Sequence, residues 1–482
     1  MSARLFAAEN RKWWTLVAVA FGLFMIMLDN TVVNVALPSI RKDLGISISE
    51  LEWVVNAYAL TFGVLLLTGG KLADLLGRRA IFIAGLVIFT GASLWCGLAG
   101  DAASLIAART VQGVGAALMN PATLSIITAT FPPRQRGTAI GIWAGVSALA
   151  LAIGPLVGGL LTENISWSWI FFVNVPVGVL GILAARAFID ESKDTSEVQR
   201  LDLPGLVSSA VGLFALTYAL IETNTHPWGS ARVLSLLAVA AVSLVIFVIL
   251  ELRQRVPMLD LSLFRNPTFS GANATMGFVG LAMFGIFFYN SLYLQNVLGY
   301  SAIQTGAAFL PMTVLIILIA PVAGRLTDRV GPRWLMGTGM TLLTGSLLLF
   351  ATLGVSSSFW NILPGLVVGG VGMGITMAPT TAAAMGSVPV DKAGVGSAVI
   401  NSTRQVGGSL GIAIMGTLVA TQVSVTQFDP RFPAQFVDGY HRALLVGAAI
   451  LITGAIVAVL TVGRSRRAES QPVPEAAWQE AA

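Results

Sequence analysis

Fourteen stretches of roughly twenty apolar residues, almost free of charge, follow one another along the chain and constrain everything it can fold into. They centre near 13–38, 51–70, 80–99, 104–129, 138–161, 169–189, 203–222, 232–251, 268–297, 303–323, 334–353, 360–387, 394–420 and 441–462. A helix needs about 20 such residues to cross the hydrocarbon core of a bilayer. Lipid offers the backbone no hydrogen-bond partner, so each crossing must be helical. Membrane strands would alternate apolar and polar residues, and these runs do not. Charged residues make up 11% of the 482 positions, against about 25% in soluble proteins. So few charges cannot cover a soluble surface of this size, and the mean hydropathy of +0.82 agrees. The sequence predicts an all-α integral membrane protein with 14 transmembrane helices. The first run begins behind Arg11 and Lys12 and is too long for a signal-peptide core, so it reads as a retained helix.

Charge orients the spans. With the N-terminus in the cytoplasm, 21 lysines and arginines fall on the cytoplasmic side and five on the other, namely Arg41, Lys42, Arg232, Arg431 and Arg442. Arg109 and Arg404 fall inside spans. Positive loops stay inside, so both termini are expected in the cytoplasm. The net charge of +5 reflects this bias and not nucleic-acid binding. One cysteine, Cys96, excludes an intramolecular disulfide, and with two histidines it argues against a soft-metal or haem site. The polar tail, 464–482, reads as cytoplasmic and disordered.

The chain repeats itself. Gly70-Lys71-Leu72-Ala73-Asp74-Leu75-Leu76-Gly77-Arg78-Arg79 returns as Gly324-Arg325-Leu326-Thr327-Asp328-Arg329-Val330-Gly331-Pro332-Arg333, 254 positions later. Leu44-Gly45-Ile46-Ser47 returns as Leu298-Gly299-Tyr300-Ser301 at the same offset, and Gly113-Val114-Gly115 as Gly370-Val371-Gly372 at 257. This divides the chain into a short N-terminus (1–12), a six-helix bundle (13–189), a linker with two inserted helices (190–263), a second six-helix bundle (264–463) and the tail. Two parallel six-helix halves around a midplane cavity are the architecture of alternating-access transporters.

The repeated Gly-Lys/Arg-Leu-x-Asp-x-x-Gly-x-Arg resembles the loop signature of the major facilitator superfamily. Fourteen spans with the extra pair in the middle resemble its drug:H+ antiporters of the EmrB/QacA type. Leu28-Asp29-Asn30-Thr31-Val32-Val33-Asn34-Val35-Ala36-Leu37-Pro38 is similar to that family's first-span motif. Arg109, Gln112, Gly113 and Gly115 are similar to its fourth-span motif, and Trp169-Ile170-Phe171-Phe172-Val173-Asn174-Val175-Pro176 to its sixth. Gly145, Gly154, Pro155, Gly158 and Gly159 resemble the fifth-span antiporter motif, a kinked, tightly packed helix that biases the cavity toward export. The resemblance covers nearly the whole chain. It implies export of lipophilic, often cationic, small molecules in exchange for protons; the alanine- and glycine-rich composition points to a GC-rich bacterium, and the expected location is the bacterial cytoplasmic membrane.

Ionisable residues within spans persist only when they pair, face water or carry function. Asp29 and Arg109 fall at similar depth in the first and fourth spans and can meet across the N-terminal bundle. Burial opposes the Asp29 charge and Arg109 favours it, which suits a carboxylate that loads and releases protons; a fixed ion pair is the plainer reading. Glu222, before His226 and Trp228, is either a further proton site or an interfacial carboxylate. Arg404, beside Asn401, Ser402 and Gln405, either contacts an anionic substrate or satisfies backbone carbonyls. None of the four charges has a charged counterpart in the other half, since Asp29 corresponds to Met283. Candidate cavity residues are Asn34, Asn56, Tyr58, Gln112, Trp143, Phe287, Tyr289, Asn290, Tyr293, Gln295, Met377, Asn401, Arg404 and Gln405. The loop residues Gly70, Asp74, Gly77, Arg78, Arg79, Asp328, Gly331 and Arg333 read as a conformational gate, with Asp74 accepting hydrogen bonds from arginines or a helix N-terminus across the seam between halves.

No phosphate-binding loop, nucleophile–base pair or metal-ligand cluster suggests an enzyme. The expectation is a monomeric secondary transporter with no cofactor but the coupling proton, and no nucleic-acid partner. A periplasmic adaptor would suit a host with two membranes. Two competing readings are an exporter of a lipid, siderophore or self-made antibiotic, and a membrane sensor or scaffold that has lost transport.

Overall fold

The computed structural model describes residues 11–46, 48–193, 202–223, 226–254, 257, 259–423, 425 and 429–463. The expected N-terminus up to residue 10 and the tail 464–482 lie outside the described residues, as do the side chains of Asn34, Pro155 and Asp328.

The first half consists of α1 (Arg11–Leu44), α2 (Ile48–Leu76), α3 (Arg78–Leu98), α4 (Ala102–Thr130), α5 (Pro133–Asn164) and α6 (Trp169–Phe188), the last interrupted by a turn at Val173. The inserted pair is α7 (Leu203–Glu222) and α8 (Ala231–Arg253). The second half is α9 (Pro267–Leu292), α10 (Leu310–Val330), α11 (Pro332–Phe350), α12 (Phe359–Gly386), α13 (Ala393–Ala420) and α14 (Phe432–Thr461). A short helix, Ala302–Ala308, precedes α10. Local chemistry sets many boundaries. Proline occupies the first turn of α5, α7, α9, α10, α11 and α14, where its missing N–H costs nothing. Asp101 caps α4 by accepting from Ser104 N at 2.8 Å, and Ser230 caps α8 by accepting from Val233 N at 3.3 Å.

Among the described residues, twelve helices are long and apolar enough to cross a membrane, against the fourteen expected from sequence. The two expected spans outside that set, 334–353 and 394–420, are nonetheless helical, as α11 and α13. Gly337, Thr338, Gly339, Thr341, Thr344, Gly345 and Ser346 dilute the hydropathy of α11, and Asn401, Ser402, Thr403, Arg404 and Gln405 that of α13. Such small and polar residues serve helix-to-helix contact better than contact with lipid.

The repeat seen in sequence is a repeat in space. Helix α1 packs on α5 and α6 as α9 packs on α13 and α14, and α4 joins α2 and α3 as α12 joins α10 and α11. The four residues with positive φ among those described are Gly45 (63°), Gly299 (72°), Gly77 (111°) and Gly331 (92°). They form two pairs at the 254-residue offset, because the same tight turns recur and only glycine enters that region without strain. The halves meet along two equivalent seams, α2 against α13 and α5 against α10. A Cβ on Gly70 would lie 2.5 Å from the Gly394 carbonyl oxygen, and one on Gly324 would lie 2.1 Å from that of Gly137. Both pairs are backbone on backbone at the end of the bundle that carries the Gly70–Arg79 loop. The pair α7–α8 breaks the symmetry, since α7 rests on α2 and α13 and has no counterpart at the other seam.

Inserting a side chain at a packed backbone contact costs about 1–3 kcal/mol. Gly70→Val and Gly324→Val are therefore expected to open the loop-bearing end. Spin labels at the exposed positions Leu76 and Val390 should show a longer distance in each variant than in the parent. An unchanged distance would mean that the glycine seams do not hold this end shut.

Candidate functional site

Asp29 sits in the middle of the first half, fully buried, and five helices build its surroundings. Arg109 of α4 donates from Nη1 to Asp29 Oδ2 at 2.5 Å. The same nitrogen donates to Gln112 Oε1 at 2.7 Å, and Nε donates to the Val54 carbonyl of α2 at 3.0 Å. Gln112, one helical turn on from Arg109, donates from Nε2 to Asp29 Oδ1 at 3.0 Å and lies 2.8 Å from Ser93 Oγ of α3. Cys96 Sγ lies 3.7 Å from Gln112 Oε1. The guanidinium lies 4.3 Å from the centre of the Tyr58 ring and 5.7 Å from that of Phe171. The carboxylate thus has a charged donor on one oxygen and an amide on the other, with aromatic rings over the cation. Among the described residues the Tyr58 hydroxyl has no hydrogen-bond partner. Ser93, Cys96 and the Val54 carbonyl belong to this cluster but carry no motif that marks them in sequence, and Phe171, although it falls in the sixth-span motif, is brought to Arg109 only by the helix packing.

A separate small cavity lies between the halves, lined by Met27, Ser147, Met283, Phe287, Met377 and Arg404 among others. Its volume of about 10 Å³ is that of a single water site. Drug-sized ligands occupy pockets of about 300–1,000 Å³, so the cavity as it stands is too small for one. Arg404 is 6% exposed and donates from Nη2 to Asn401 Oδ1 at 2.9 Å. Trp143 is buried beside it, with its ring centre 5.9 Å from the guanidinium and its Nε1 donating to Thr123 Oγ1 at 3.0 Å.

The other sequence candidates are dispersed. Tyr58 and Gln112 belong to the Asp29 cluster. Tyr289 donates to the Ile412 carbonyl at 3.3 Å, and Tyr293 to the Gly354 carbonyl at 2.6 Å while stacking on Tyr440. Tyr440 in turn donates to Asn290 Oδ1. These three residues are engaged within the second half and do not line the closed cavity. Asn56 is half-buried on α2, and Gln405 packs near Gly63 across the α2–α13 seam. Gln295 lies 3.5 Å from Ser291 on its own helix. Glu222 pairs with Arg232 Nε at 3.0 Å and His226 Nδ1 at 3.1 Å, at the far end of α7 from the loop. It is not part of the Asp29 cluster.

The loop residues converge on the α2–α13 seam. Asp74 Oδ1 accepts from Gly394 N and Oδ2 from Val395 N, both at 2.9 Å, so a carboxylate of the first half seats on the N-terminus of a helix of the second. Arg78 donates to Asp74 Oδ1 at 3.0 and 3.2 Å and reaches the Val390 carbonyl. Glu191 accepts from the backbone N–H of Arg79 and Ala80 at the start of α3. Arg333, at the corresponding place in the second half, lies 5.3 Å from the Trp334 ring. Outside the spans, Lys392 donates to Asp260 Oδ2 at 2.7 Å. Burial alone favours the neutral acid there, but Lys392 and Ser262 hold the carboxyl down to about 2. This contact is complete above the ordinary carboxylate range and lost only as pH falls through about 2, so it does not respond near neutrality. On α5, Gly154 and Gly158 face Thr31 and Val32 of α1, whereas Gly159 faces Ile303 and Gly145 lies in ordinary contact with Ile317. The helix therefore uses one small-residue face within its own half and another across the seam.

The sequence pattern described as Major Facilitator Superfamily matches residues 19–412. The chain is 37% identical over 479 residues to a puromycin resistance protein of Streptomyces alboniger, covering 97% of this chain and 95% of that one. It is 36% identical over 420 residues to a tetracenomycin C resistance and export protein of Streptomyces glaucescens, covering 86% and 77%. Among solved structures it resembles the human organic anion transporter MFSD10, with a TM-score of 0.65 over 93% of this chain and 99% of that one; at 13% identity this likeness concerns the fold alone. With its two repeated bundles and apolar helices, the chain is a multi-pass membrane protein and belongs to the major facilitator superfamily, a family of transporters and not of enzymes.

Proposed function

We propose that the protein exports lipophilic small molecules across a bacterial cytoplasmic membrane in exchange for protons. The observation that carries this reading is the sealed Asp29–Arg109–Gln112 cluster, an ionisable site in one half with no charged counterpart in the other. The names of the relatives, which speak of antibiotic resistance and export, support the direction of transport and the alternative that the cargo is a self-made antibiotic. The lipophilic, often cationic, cargo expected from sequence rests on the family resemblance.

In this reading α11 and α13 cross the membrane with the other twelve helices, which makes fourteen spans in two bundles of six plus the inserted pair. The loop-bearing end faces the cytoplasm, where basic residues concentrate, and both termini lie there. The protein acts as a monomer without a cofactor; a periplasmic adaptor would be added in a two-membrane host. The Asp74–Gly394 contact and the glycine seams hold the cytoplasmic end shut, so the cavity next opens outward. Protonation of Asp29 removes the charge that Arg109 answers, and substrate binding biases the same two-state equilibrium in the opposite sense. The small faces of α5 let it slide between α1 and α10. Glu222 holds the α7–α8 hairpin through Arg232.

The test is proton flux in proteoliposomes under an imposed pH gradient, with a panel of lipophilic compounds. Asp29→Asn is expected to abolish compound-induced proton movement, and an unaltered flux in that variant would remove Asp29 from coupling. The substitution also strands Arg109 as a buried charge, a loss of about 3–5 kcal/mol. The double variant Asp29→Asn, Arg109→Gln should therefore melt at a higher temperature than Asp29→Asn alone and remain uncoupled. Glu222→Gln should retain coupled exchange; its loss would return Glu222 to the proton path.

A further inference from the structure

Among the described residues, the lining of the closed cavity between the halves carries one formal charge, and it is positive. Arg404 lines it from α13, and among the described residues no carboxylate forms an ion pair with it. The one hydrogen bond of its guanidinium among those residues goes to Asn401, one turn back on the same helix. The nearby Trp143 face, 5.9 Å away, compensates such a cation only in part. Asp29 is engaged elsewhere: its ion pair is with Arg109, and Gln112 donates to its other oxygen. On the other half, Ser147 of α5 lines the same cavity, is 1% exposed, and among the described residues its hydroxyl has no hydrogen-bond partner. The rest of the lining is soft and apolar, with Met27, Met283, Met373, Met377 and Phe287.

A cation with no carboxylate partner and a hydroxyl with no hydrogen-bond partner among the described residues line one apolar space, and an acceptor between them would answer both. We propose that Arg404 and Ser147 form an anion-recognising subsite, and that the preferred substrates are aromatic acids: an ionised carboxylate or phenolate on a flat apolar body. The acid group answers Arg404 and accepts from Ser147, while the methionine side chains repack around the rings. Because Arg404 and Ser147 belong to different halves, such a ligand bridges them and favours their closure. A lipophilic cation brings a like charge to Arg404 in a medium of low dielectric and is disfavoured. The proposal rests on the exporter reading and narrows its substrate class from the cations expected by resemblance to anions.

Fluorescein and rhodamine 6G share a xanthene ring system and carry opposite charge at neutral pH, so they separate the two classes. Fluorescence polarisation on the purified full-length protein is expected to show fluorescein binding at least about tenfold more tightly than rhodamine 6G. Arg404→Gln should lose that preference by weakening fluorescein, Arg404→Lys should keep most of it, and Ser147→Ala should weaken fluorescein without removing the charge. Equal or tighter binding of rhodamine 6G by the parent protein, no binding of fluorescein, or unchanged fluorescein affinity in a folded Arg404→Gln overturns the proposal. Proton movement in vesicles is read separately. Fluorescein binding without proton-linked flux of either dye removes the exporter reading and leaves the anion site standing. Rhodamine-driven proton flux without fluorescein binding does the reverse.

Discussion

Inside hydrocarbon no polar group can turn to water, and the whole molecule is arranged around that denial. It forces each span into a helix, since only the helix satisfies its own backbone. It also decides how charge is carried. Asp29 and Arg109 are both buried: the carboxylate is held by an arginine and an amide of α4, and the guanidinium by groups of several helices, a carboxylate, a carbonyl and two aromatic rings. Neutralising either charge alone would leave the other buried without its ionic partner, a costly state in such a medium. That sensitivity is what a transporter can use, and a soluble protein with water in reach would blunt it.

The second organising feature is the pair of glycine seams. Helices of opposite halves approach until backbone meets backbone, at Gly70 with Gly394 and at Gly324 with Gly137. Contacts of this kind act only at close range, so they are lost as soon as the backbones part. Asp74 adds direction, since its carboxylate seats on the N-terminal amides of α13 and loses both bonds if that helix moves away.

The repeat was legible in the sequence to the residue. Gly45, Gly77, Gly299 and Gly331 fall in motif positions, and they are the positions with positive φ. Asp29 and Arg109 were legible as partners because charge is so rare in these runs that two residues at equal depth stand out. Less was legible for the cavity. Tyr289, Asn290 and Tyr293 have the composition of a binding site, but their polar atoms are turned to the Ile412 and Gly354 carbonyls and to Tyr440. Ser147 looked like any helical serine and was not singled out. Polarity on an apolar helix marks a residue as important, but not which neighbour it answers, because that depends on the rotation of each helix about its axis.

Sequence alone determined the helical class, the two related halves, the inserted pair and the rare intramembrane charges, because hydrophobic length and pattern are local properties that lipid enforces strictly. Only the tertiary structure decided that Asp29 is sealed by residues of four other helices, that Asp74 meets the start of α13, and that Arg404 faces a closed cavity without a counter-charge. Those outcomes rest on contacts between segments separated by up to 321 residues, and they are set by how helix surfaces fit together, which no single stretch of chain encodes.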